Sequence, residues 1–200
     1  MKYLLFAFTC LLMTACQNNT PVANPEKNAA VKDSVPAQQD FFPVPDYIGG
    51  QLKIIDSLQL PISLAVTINN KTRLTTATDK QLRAFADEFR RPDISDPAVK
   101  KLYTQTSIAD QSDPSVTLIY TTTDTSLPIQ KINVYVKPDP VANDKVSGIY
   151  IEKMFTRNDT VFNKKLYWKT GRNMQVTTEM KVGGKQLPVE QVKITWDYSN

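Results

Sequence analysis

Histidine is absent from the 200 residues, and cysteine occurs only at Cys10 and Cys16. Without an imidazole the chain has no Ser-His-Asp or Cys-His catalysis, no imidazole acid–base work and no zinc site of the usual kind. Glycine is scarce too, with six residues. None of them builds a phosphate-cradling loop, and no serine sits in a Gly-x-Ser-x-Gly elbow. Lys and Arg number 24 against 20 acids, a formal charge of +4, too small to imply a nucleic-acid partner. What is left, 41% hydrophobic and 22% charged residues, is ordinary for a globular protein. The absences point away from an enzyme and toward a binding or docking role.

The chain opens MKYLLFAFTCLLMTAC. Lys2 precedes an apolar run from Tyr3 to Met13, broken only by Thr9, and the run ends in the small residues Thr14 and Ala15. This is the charge–apolar–small order of a secretory signal, and it is shorter than the ~20 residues of a spanning helix. Leu12-Met13-Thr14-Ala15-Cys16 resembles the lipobox of bacterial lipoproteins, with Met13 where leucine is commonest. The resemblance implies a signal peptide over 1–15, cleavage before Cys16, and covalent diacylglycerol and N-acyl chains on Cys16. It implies no other cofactor. Cys10 would leave with the leader, so no intramolecular disulfide could form in a compartment that permits them. Losing Lys2 as well takes the formal charge from +4 to +3.

Residues 17–40, QNNTPVANPEKNAAVKDSVPAQQD, hold no aromatic and three prolines. Such a segment buries too little apolar surface to offset ordering, and it reads as a disordered tether. As a flexible coil it would reach roughly 25–30 Å. Gln17 and Asn18 stand where related lipoproteins carry acidic retention or surface-export signals. The resemblance therefore implies an outer-membrane lipoprotein facing the periplasm. Asp33-Ser34-Val35 resembles the O-glycosylation acceptor of Bacteroidota, a three-residue match that a plain linker also satisfies.

Residues 41–200 read as a single α+β domain, whose ~160 residues can bury about 70% of their unfolded surface. Asp46 is placed to cap a helix over Tyr47–Leu58, where Ile48, Leu52 and Ile55 recur at helical spacing. Leu60, Ile62, Leu64, Val66 and Ile68 alternate as a half-buried strand, and Asn69-Asn70 turns it into a hairpin with Thr72–Ala77. Thr78 and Gln81 make a capping box for a second helix carrying Leu82, Phe85, Ala86 and Phe89, stopped by Pro92. Val99–Ile108 reads as helix turning into strand. From Ser115 onward, apolar alternation between turn residues predicts an antiparallel meander. The expected architecture is a curved antiparallel sheet of about eight strands packed on two N-terminal helices. It is similar to the half-barrels of periplasmic lipoprotein carriers, or to a cystatin-like sheet around a helix.

Few side chains qualify for chemistry, and no catalytic residue or metal ligand is expected. Glu152 and Glu179 would form an acid–base pair only if held close, and two exposed strand-face charges explain them as well. Asp139, Asn143 and Asp144 share a loop, but their spacing fits turn chemistry better than calcium. Trp168 could stack on a sugar, although its alternation with Leu166 favours the core. Residues 126–200 carry twelve Lys and Arg against seven acids, whereas 41–125 carry nine against ten. Lys164, Lys165, Lys169 and Arg172 gather around one hairpin and form the candidate contact for an anionic surface, such as lipid or lipopolysaccharide phosphates. The alternative is that these cations decorate a solvent face and discourage edge pairing. The sequence favours a non-catalytic lipoprotein that binds an apolar or lipid-like ligand. The competing expectation is an assembly factor docking on an envelope protein complex.

Overall fold

A strand that buries one face needs cover on that face alone, so alternation along these strands decides where the helices lie. The computed structural model describes residues 40–110, 112, 114–139 and 145–196. The leader with Cys16, the tether with its Asp33-Ser34-Val35 motif, and the Asn143 and Asp144 members of the calcium set lie outside them.

Helix α1 (Val44–Leu58) begins three residues before Tyr47. Pro43 holds the cap position without a side-chain cap, and Asp46, expected as the cap, lies inside the first turn. Pro45 explains the shift, because the first turn needs no donor from its residues and a proline there fits the helix. The Asp46 charge still suits the positive end of the helix dipole. Strands β1 (Ser63–Ile68) and β2 (Lys71–Thr76) are joined by Asn69 and Asn70 at φ 49° and 61°, the left-handed pair that a tight hairpin requires.

Helix α2 (Asp79–Arg90) starts at the expected capping box. Thr78 Oγ1 accepts from the Gln81 amide at 3.2 Å, and Gln81 Oε1 accepts from the Thr78 amide at 2.9 Å. Its stripe is buried at Leu82, Ala86 and Phe89 and half-buried at Phe85. A single turn, α3 (Pro97–Lys100), leads into β3 (Thr104–Asp110). There follow β4 (Ser115–Thr121), β5 (Ile129–Lys137), β6 (Lys145–Arg157), β7 (Thr160–Lys169), β8 (Asn173–Val182), β9 (Lys185–Gln186) and β10 (Glu190–Thr195).

The α+β class holds, with a larger sheet than expected. Ten antiparallel strands run β2-β1-β10-β8-β7-β6-β5-β4-β3, with β9 on β8. The helix turning into strand expected over Val99–Ile108 is α3 followed by β3, a full edge strand, and the two-residue β9 is a further addition. The inner face of this open, curved sheet is covered by α1 and α2. Its centre is Trp168 of β7, fully buried, which meets the ring of Phe89 edge-on at 5.5 Å and that of Trp196 at 5.0 Å. A sugar-stacking role for Trp168 is therefore excluded. Ile48, Leu82, Ile149, Ile151, Leu166 and Ile194 fill the space around it, each at most 0% exposed.

Lys153 interrupts this apolar face. It follows Ile149 and Ile151 on the inner side of β6 and is 5% exposed. Its ammonium donates to the carbonyls of Glu88 and Arg91 at the end of α2, groups that the helix leaves without partners. Glu88 also accepts from Lys164 at 2.7 Å. Burial draws the Lys153 pKa down from 10.5 to about 8, with the neighbouring Lys164 acting in the same direction and Glu88 against it. Above pH 8 the folded chain releases a proton that the unfolded chain keeps until 10.5, so stability should rise with pH across that interval. Buried Tyr103, raised to about 12, works the other way once free tyrosines ionise near 10. The rise should therefore be seen by urea unfolding between pH 8 and about 10, and Lys153→Met should flatten it.

Candidate functional site

Among the described residues, buried side chains fill the centre of the inner face, whereas the ends of the strands are open. One end carries a concentration of cations. β5 and β6 leave their loop with Lys137 directly opposite Lys145. Like charges across a strand pair are destabilising, so the placement does not serve the sheet itself. The β7–β8 turn adds Lys169 and Arg172, with Gly171 at φ 74° between Thr170 and Arg172. These four side chains line a cleft of about 660 Å³, closed on its helix side by Gln51 and Ile54 of α1. No carboxylate lies among the described residues that line it. Lys145 and Lys169 have no ion-pair partner among the described residues.

Tyr47 fixes the cleft to the helix. Its hydroxyl donates to the Val146 carbonyl at 3.2 Å and lies 2.6 Å from Thr170 Oγ1. The Thr170 amide in turn donates to the Ser147 carbonyl at 3.2 Å, and the Arg172 amide to the Lys169 carbonyl at 3.1 Å. The turn that presents Lys169 and Arg172 is thus held from α1, from β6 and from within itself. The floor is mixed: Val146 is buried, whereas Ile54 is 40% exposed. A cationic rim over an apolar wall suits an anionic group attached to an apolar body.

The expected cluster of Lys164, Lys165, Lys169 and Arg172 is divided by the pleat. Lys169 and Arg172 enter the cleft. Lys164 lies on the inner face beside Lys153 and pairs with Glu88 at 2.7 Å. Lys165 lies on the outer face and pairs with Glu179 at 3.5 Å. Successive strand residues point to opposite faces, so Lys164 and Lys165 could not both join one surface. Glu152 and Glu179 share the outer face but sit on β6 and β8 with β7 between them and two residues out of register, their backbones roughly 12 Å apart. Glu152 accepts from Tyr150 at 2.8 Å, and Glu179 from Asn163 at 3.1 Å. Each is satisfied by a neighbour, not paired with the other as an acid–base couple. The Tyr150 hydroxyl is pushed above its usual pKa, first by burial and then by the Glu152 hydrogen bond. Asp139 precedes the 140–144 loop and is half-buried.

Lys137, Lys145 and Tyr47 were not among the residues singled out from the sequence. The first two flank the loop between predicted strands, so pairing across the hairpin would have found them. Tyr47 is 99 and 123 residues from its partners, and no local pattern announces it.

Tyr47→Phe should lower stability by about 1 kcal/mol through the lost hydrogen bonds, measured by urea unfolding, with the fold retained. The chain matches no protein-family model, no curated protein and no solved structure.

Proposed function

We propose that this protein is a non-catalytic lipoprotein, anchored through Cys16 in the outer membrane and facing the periplasm, that binds an anionic amphiphile in the Lys137–Lys145–Lys169–Arg172 cleft. The observation that carries the reading is the convergence of four cations on one cleft whose helix side presents an exposed Ile54. A ligand with a phosphate or carboxylate head and an acyl body satisfies both surfaces. The sheet's inner face, filled by α1 and α2, leaves this end cleft as the better place for such a ligand than a lumen. A second reading, docking on an envelope protein, is favoured by the large apolar side chains at the two sheet edges: Leu74 on β2 is 70% exposed and Ile108 on β3 is 60% exposed.

Dodecyl phosphate titrated into the purified protein should bind, and binding should weaken as salt rises, because exposed charges are screened within about 10 Å at 0.1 M salt. Lys145→Gln with Lys169→Gln should weaken it at least tenfold, whereas Lys165→Gln, on the outer face, should leave it unchanged. Equal affinity of the double variant and the wild type would remove the cleft from consideration. Anchorage is separable from binding. Cys16→Ser should abolish incorporation of labelled palmitate and release the protein from the membrane fraction, and retention of either property would overturn the anchor assignment.

A further inference from the structure

The two edges of the sheet are not equivalent. β2 carries Lys71 and Arg73 among its six exposed residues, and charged side chains on an edge discourage further pairing. β3 carries no charge and no proline from Thr104 to Ala109, and its only acid, Asp110, comes at the end. Its register with β4 runs unbroken over seven pairs, Thr104↔Thr121 to Asp110↔Ser115, so no bulge twists it away. Six of its seven residues are exposed, Ile108 to 60%. Among the described residues no other strand lies against its open side. β3 therefore has none of the usual devices that protect an edge, and its outward backbone donors and acceptors form a template for one more strand.

Strand direction and charge select the occupant. All neighbours on the nine-strand path are antiparallel, so β2 and β3, at its two ends, run the same way. Head-to-tail stacking of copies would bring β3 against β2 in the weaker parallel sense, with Lys71 and Arg73 at the joint. A two-fold axis beside β3 instead gives an antiparallel β3–β3 pair, the more stable ladder. Centred on Ser107, that pair sets each Asp110 opposite Thr104 of the other copy, away from its own counterpart. It also sets Thr106 opposite Ile108, and both project from the outer face, a β-branched pairing of the kind that stabilises sheets. We propose that β3 is a homodimer edge, joining two copies of this chain into one continuous sheet.

The test uses the full chain in its own membrane. A photo-cross-linking amino acid at Ile108 should give a band at twice the monomer mass whose peptides all map to this chain, and the same probe at Leu74 should give none. Thr106→Lys with Ile108→Lys places two lysines across each junction. With the cross-linker then at Ser107, the yield should fall at least tenfold while the far-UV circular dichroism stays as in the wild type. Lys71→Gln, at the other edge, should leave the yield unchanged. Absence of a doubled band from Ile108, an equal band from Leu74, or capture of a different protein at Ile108 would each overturn the proposal.

Discussion

The contact on which the rest of the structure depends is the layer of Trp168, Phe89 and Trp196. Trp168 sits on a central strand, so the ring that closes over it fixes how α2 lies on the sheet. Phe89 does this edge-on at 5.5 Å, while Trp196, immediately after β10, closes the other side at 5.0 Å. One aromatic layer thereby ties the middle of the meander, the second helix and the last described residue together. Among the described residues, the side chains around this layer fill the centre of the inner face.

The elements that were legible in the sequence are those whose signal is local. The capping box of α2 spans four residues, and its two bonds form as the pattern requires. The Asn69-Asn70 turn needs two adjacent residues that tolerate left-handed φ, and it has them. The alternation of Ile149 with Ile151, and of Leu166 with Trp168, predicted which side chains face the helices. By contrast, Asp46 is a good cap by composition, yet Pro45 already fits the first turn, so α1 starts three residues before the expected Tyr47. β3 was blurred with α3 because Val99–Ile108 mixes one helical turn with the beginning of a strand.

The cation cluster shows the limit of reading by proximity along the chain. Four basic residues within nine positions looked like one surface, but the pleat sends Lys164 to Glu88 and Lys165 to Glu179. Only hairpin pairing brings Lys137 and Lys145, eight residues apart, to face each other beside Lys169 and Arg172. Lys153 is the complementary case. By alternation it belongs to an apolar face, and its charge is accommodated there because the end of α2 supplies carbonyls that would otherwise lack donors. Both arrangements follow from strand pairing and pleat, not from nearness in sequence.

The position of β10 has a consequence for the order in which the molecule is assembled. The β1–β2 hairpin enters the sheet only through β1, and β1 pairs with β10, where Leu64 faces Ile194 across 130 residues of chain. That ladder cannot form until β10 has emerged, and contacts of such long sequence separation are slow to form. Trp196, one residue beyond β10, is likewise late to arrive at the aromatic layer. The sheet therefore stays incomplete until β10 arrives. Late closure of the sheet makes β10 the latch of the fold.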